Sequence, residues 1–184
     1  MKKIFLLTSA FILMAFIAEA QIYMGKTCEI SFFSDGPIED IAAKNTTAKP
    51  ILNTTTNDIA IKITIKGFDF DKELMEEHFN EKYLESDKYP YATFSGKINE
   101  KVDYKTDGVT KVTVTGKLNI HNVEQVRTID GTITVKGGEI QLDCKFIVAM
   151  KDHKVEIPTL VAQNIAETVE VTIKSTLTEY VTKK

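Results

Sequence analysis

Read in steps of two, most of this chain is sheet. From Asp58 to Lys66 the residues Ile59, Ile61, Ile63 and Ile65 alternate with Ala60, Lys62, Thr64 and Lys66, which gives a strand one apolar face and one wet face. A helix would scatter those isoleucines around its circumference. The same alternation recurs in Cys28, Ile30 and Phe32, in Val112, Val114, Leu118 and Ile120, and in Ile129, Ile133 and Val135. It returns in Ile140, Leu142, Cys144, Phe146 and Val148, and again in Val169, Val171, Ile173 and Leu177. Thr and Val crowd these runs, as a pleated surface favours.

Thr106-Asp107-Gly108 and Gly137-Gly138 lie between the runs. Their residues accept positive φ and close antiparallel hairpins, so the order is a meander. Seven or eight antiparallel strands with one apolar face must stack as a sandwich or roll up, and rolling removes the exposed edges. Length and strand number predict an all-β fold, an eight-stranded antiparallel barrel around one interior.

One stretch follows a different period. Asp71 is placed to cap a helix in which Leu74, Met75, His78, Phe79 and Tyr83 recur at three- and four-residue spacing, which predicts a helix over Lys72 to Tyr83. A second short helix is expected at Pro158 to Ile165, before the last strand. The Thr/Asn-rich stretch from Glu39 to Asn57 reads as a strand, a turn near Pro50 and another short strand.

The first 20 residues do not belong to this pattern. Lys2 and Lys3 precede an apolar run from Ile4 to Ala18, and Ala18-Glu19-Ala20 follows as a small-x-small triplet. These are the parts of a cleavable secretory signal. The run is shorter than the roughly 20 apolar residues that span a bilayer, which argues against a permanent anchor. Cys28 lies too far past the cut for a lipoprotein anchor. The expectation is a signal over residues 1–20, cleavage near Ala20, and an exported, periplasmic or secreted barrel domain over residues 21–184 with no stable membrane span.

Composition narrows the function further. With 23 Lys+Arg against 26 Asp+Glu, a formal charge of −3, and no dense basic run, the chain lacks the cationic footprint of a nucleic-acid binder. The two cysteines, Cys28 and Cys144, sit on the apolar parity of their strands. An oxidising compartment permits a bridge between them, and two separate buried thiols are the alternative.

Catalytic signals are sparse. His78, His121 and His153 have no spacing that holds zinc, so no metal site is expected. There is neither a phosphate loop nor a nucleophile elbow. The carboxylate pairs Glu76-Glu77 and Glu39-Asp40 point apart on any regular element and read as solvated surface. Asn45-Thr46-Thr47 and Asn53-Thr54-Thr55 match the glycosylation pattern but read as polar loop residues.

Three ordered landmarks carry a family likeness. The segment Gly116-Lys117-Leu118-Asn119-Ile120-His121-Asn122-Val123-Glu124-Gln125-Val126 resembles the Gly-x-Leu-Thr-x-His-Gly-Val-Thr-x-x-Val segment of the YceI-like proteins. Lys88-Tyr89-Pro90-Tyr91-Ala92-Thr93-Phe94 is similar to their Tyr-Pro-x-Ala-x-Phe strand start. Phe68-Asp69-Phe70, followed by Leu74-Met75 and His78-Phe79-Asn80, is typical of short members. Asn122 replaces the usual Gly and Asn119 the usual Thr, and Asn tolerates left-handed φ well enough to keep the turn.

The resemblance covers nearly all of the chain after the signal. It implies an exported bacterial protein with a lipocalin-like barrel that binds a polyisoprenoid or another long-chain amphiphile, without catalysis and without a cofactor beyond that lipid. The expected lining is Phe68, Phe70, Phe79, Tyr83 and Phe94 with Met75 at one end, and Ile61, Ile63, Ile65, Ile133 and Phe146 along the wall. His121 either touches a ligand head group or fixes its turn by hydrogen bonds. The expected partner is a hydrophobic small molecule, with a homodimer as a further option. A packed barrel acting through its surface, and a barrel enzyme using His121 beside a carboxylate or hydroxyl, are the alternatives.

Overall fold

The computed structural model describes residues 21–36, 40–156 and 167–181. The signal stretch, the helix expected at Pro158 to Ile165 and the start of the Glu39–Asn57 stretch lie outside them. The period-two runs become ten antiparallel strands: β1 (Ile22–Ser34), β2 (Ile41–Asn45), β3 (Ile51–Asn53), β4 (Asp58–Thr64), β5 (Phe68–Phe70), β6 (Tyr91–Ile98), β7 (Gly108–Ile120), β8 (Val123–Lys136), β9 (Glu139–Ala149) and β10 (Thr168–Glu179).

Eight of them close a barrel. β1, β3, β4, β6, β7, β8, β9 and β10 pair in chain order, and β10 returns to pair with β1. The two extra strands continue existing ones, since β2 pairs with β1 above β3, and β5 pairs with β2 above β4. Asn45 holds the break between β2 and β3: its amide donates to the Thr64 carbonyl at 2.9 Å, and its carbonyl accepts from the Thr47 amide and hydroxyl. Being fully buried, this asparagine is a structural brace. Asn53 takes the Thr55 and Thr56 amides in its own turn.

The hairpins follow the local chemistry. Gly137 and Gly138 join β8 to β9 at φ 59° and 81°, and His121 and Asn122 join β7 to β8 at φ 53° and 57°. Both are tight two-residue turns with left-handed residues. The expected helix is present as α1 (Glu73–His78) followed by a wider π turn over Phe79–Tyr83. Lys72, not Asp71, occupies the cap position, and it makes no side-chain capping bond.

Two apolar clusters divide the interior. The lower one plugs the barrel near the Gly137-Gly138 turn, with Leu52, Ile98, Ile133, Ile140 and Leu177 at most 2% exposed. The upper one gathers Ile30, Phe32, Ile61, Ile63, Ile65 and Phe68 under α1. Gly96 and Gly116 face each other across β6 and β7. A Cβ on Gly116 would lie 2.5 Å from the Gly96 Cα and 2.8 Å from the Phe94 ring, so these two residues flatten the inner wall and let that ring lie against it.

Candidate functional site

Inward parity on nearly every strand is Ile, Val, Leu or Phe, and at native density such side chains could fill an eight-stranded barrel. They do not fill this one. Above the lower plug lies a cavity of about 550 Å³, within the range of small-molecule pockets. It runs from Ile98, Val112 and Ile133 up to Ile41, Leu74 and Met75.

Every wall position expected from the sequence lines it. Ile61, Ile63 and Ile65 come from β4 and the turn after it, Phe68 and Phe70 from β5, Phe94 from β6, Ile133 from β8 and Phe146 from β9, while Met75, Phe79 and Tyr83 descend from α1 and the π turn. Three of these aromatics, Phe68, Phe70 and Phe79, interlock with Phe32. Phe79 stacks on Phe32 at 5.5 Å and meets Phe70 at 5.0 Å, and Phe68 meets Phe32 edge-on at 5.4 Å, separations at which rings attract beyond their burial.

His121 sits elsewhere. Its Nε2 lies 2.7 Å from the Glu85 carboxylate and its ring packs edge-on against Tyr89 at 4.4 Å. It braces the β7–β8 turn, and neither His121 nor Glu85 lines the cavity. His153 is fully buried and shares its Nδ1 with the Val123 carbonyl at 2.9 Å. Among the described residues no cluster of His, Cys, Asp or Glu could hold a metal, and no helix is long and apolar enough to cross a membrane.

The cysteines are free. Both point inward, but Cys28 is opposite Ser175 and Cys144 opposite Ile173, so β10 runs between them. Two strand spacings, about 9–10 Å, exceed the roughly 7 Å a disulfide can bridge. Burial pushes the Cys28 thiol up against the opposing hydrogen bond of Ser175, and burial with the neighbouring Asp143 pushes Cys144 up to about 11.

Two polar features of the wall went unread in the sequence. Ser34, at the upper end of β1, is 2% exposed and lines the cavity, and its hydroxyl has no hydrogen-bond partner. Gln125 and Arg127 continue the inward parity of Ile129 and Ile133 on β8. There the apolar alternation breaks, which was the visible signal.

A family model described as the YceI-like domain matches residues 23–177. Among solved structures, a polyisoprenoid binding domain from Saccharophagus degradans, implicated in plant cell wall breakdown, superposes with a TM-score of 0.74 at 14% identity, covering 88% of this chain and 100% of that one. BcnA of Burkholderia cenocepacia gives 0.68 at 16% identity, covering 81% and 95%. The YCEI protein of Campylobacter jejuni gives 0.56 at 18% identity, covering 80% and 85%. No curated protein matches the chain.

Proposed function

The chain belongs to the YceI-like family, and on that footing we propose that it is a non-enzymatic protein that holds a long-chain amphiphile, a polyisoprenoid or a fatty-acyl lipid, inside its barrel for carriage or storage. The cavity of about 550 Å³ carries this reading. Its wall is almost wholly apolar, so each methylene of a tail buried there contributes about 0.8 kcal/mol, and a tail of about ten carbons supplies about 8 kcal/mol to set against the cost of association, with longer tails supplying more. Affinity of this kind needs few polar contacts and discriminates weakly among tails. The name of the Saccharophagus domain, a polyisoprenoid binder, supports the same class of ligand. A solid barrel acting through its surface accords poorly with so large an interior. The His121–Glu85 pair, lying off the cavity, gives a reaction no substrate to work on.

We further propose that the protein is exported, with residues 1–20 removed as a signal. The supporting features are the Lys2-Lys3 start, the apolar run and the Ala18-Glu19-Ala20 triplet.

Native mass spectrometry tests both proposals on the full chain expressed in a bacterium and purified without detergent. The expected result is a polypeptide starting at Gln21 that carries a discrete extra mass extractable into organic solvent. A bare polypeptide that no polyprenol or fatty acid stabilises against heat would overturn the binding proposal. An intact Met1 in the cytoplasmic fraction would overturn export.

A further inference from the structure

The backbone wall of the barrel is interrupted at two places, and they are finished differently. Between β2/β3 and β4/β5 the break is sealed from inside by the fully buried Asn45. Gly67 packs so closely there that a Cβ would come within 2.8 Å of the Asn45 amide nitrogen. Between β8 and β9 the ladder climbs from Lys136 and Glu139 to Gly131 and Cys144, and stops. Above that point Val123–Asp130 and Lys145–Ala149 form no ladder with each other, although β8 remains paired with β7 and β9 with β10 along those stretches.

The two strands therefore frame a slit. Its top is closed by the turn Met150–His153, where the Gln125 amide donates to the Asp152 carbonyl at 2.7 Å and His153 meets the Val123 carbonyl. Its middle is crossed by Arg127, the sole arginine of the chain. The guanidinium donates to the Ile147 carbonyl and stands 3.9 Å from the Asp152 carboxylate. Inside the slit lie Ile129, Phe146 and Val148 of the cavity wall. Outside, Val126 and Ile147, at 71% and 48% exposure, put one apolar residue on each lip among the polar Glu124, Thr128, Asp130 and Lys145.

We propose that a long-chain ligand enters and leaves the barrel sideways through this β8–β9 slit, and that Arg127 is its latch. The inference rests on the binding function proposed above. The lower end of the barrel is plugged by Leu52, Ile98, Ile140 and Leu177, and at the α1 end, where the exposed Leu74 also lines the cavity, the rings of Phe32, Phe68, Phe70 and Phe79 pack against one another and narrow the way in. Opening any other seam breaks backbone hydrogen bonds and exposes two strand edges. At the slit those bonds are already missing, and a few side-chain contacts are all that must part. Arg suits a latch, because its planar fork spans an acceptor and a carboxylate at once while its stem packs along the wall.

The test is the exchange rate of a pyrene-labelled long-chain alcohol, followed by stopped-flow fluorescence. Val126→Cys and Ile147→Cys together place exposed thiols on the two lips, which a short bismaleimide can staple, while the buried Cys28 and half-buried Cys144 with their raised thiol pKa react poorly. Stapling is expected to slow uptake and release at least about tenfold with no loss of thermal stability. Arg127→Ala is expected to speed both about tenfold, the worth of one or two hydrogen bonds, and to leave Kd within about threefold, with Arg127→Lys in between. Unchanged exchange in the stapled protein would overturn the slit, and so would an Arg127→Ala effect confined to Kd. Absence of probe binding before stapling would instead overturn the binding function, and the slit with it.

Discussion

Replacing Ser34 by alanine should stabilise the ligand-free protein and weaken ligand binding at the same time. The side chain is 2% exposed, faces the cavity and has a hydroxyl without a hydrogen-bond partner. A buried unpaired polar group costs about 1–3 kcal/mol, while alanine gives back a little through a small void and a poorer fit to a strand. The net expectation is a gain of about 1–2 kcal/mol, which for a domain of this size raises Tm by about 2–8 °C. Binding moves the other way. A polyprenol whose hydroxyl reaches Ser34 would lose one hydrogen bond, about 1 kcal/mol or about fivefold in Kd, whereas an alkane of the same length would lose nothing. Calorimetry on the delipidated protein gives the first number and titration with the alcohol–alkane pair gives the second. A loss of stability, or equal weakening for both ligands, would refute the reasoning, because the serine would then be ordinary core.

Two further expectations concern the wall itself. Gly116→Ala forces a Cβ to within 2.5 Å of the Gly96 Cα and the Ser95 carbonyl oxygen, atoms of the backbone that cannot swing aside, and should cost about 3 kcal/mol in a urea titration; a change below about 1 kcal/mol would show that β6 and β7 separate easily. At high pH the thiol of Cys144, raised from 9.0 to about 11 mainly by burial, favours folding below the unfolded value, and that contribution fades as pH climbs from about 9 through 11. The loss amounts to about 2–3 kcal/mol, and Tyr104, pushed by burial to about 12, adds in the same direction. Cys144→Ala should flatten the decline between pH 9 and 11, and an unaltered slope would contradict the assignment.

The barrel was legible because its strands state their parity plainly. Ile59 to Ile65 face one way and Lys62 to Lys66 the other, and a one-residue slip would turn the whole set to solvent. The Gly137-Gly138 turn then joined β8 to β9 as expected, whereas Asp107-Gly108 closes no tight turn: β6 and β7 are joined by the longer loop 99–107, and neither residue takes positive φ. The breaks in the wall were harder to read. Asn45 looks like a loop residue in the sequence, yet it is the buried brace between two strand segments, because beside its local bonds to Thr47 it reaches the Thr64 carbonyl 19 residues further on, a contact that no local pattern reveals. The residues that line the cavity were named from strand parity and, for Met75, Phe79 and Tyr83, from helical spacing, but neither pattern says whether inward side chains meet in the middle, so the cavity itself was beyond reach. Arg127 shows the converse case. An arginine on an apolar parity is a local contradiction, and such contradictions gather at working parts.

The first and last described strands of this barrel are partners. Tyr23 is set against Glu179 and Phe33 against Glu170, so closure joins residues separated by most of the chain. Contacts of that span slow folding, because the ring cannot shut until the final strand has arrived. Until then β1 and β9, the two strands that β10 will join, present bare edges, exposed to wrong pairing and to chaperones alike. A chain exported as proposed above gains from the delay, since a barrel whose last stave is still missing can be drawn lengthwise through a pore and shut on the far side.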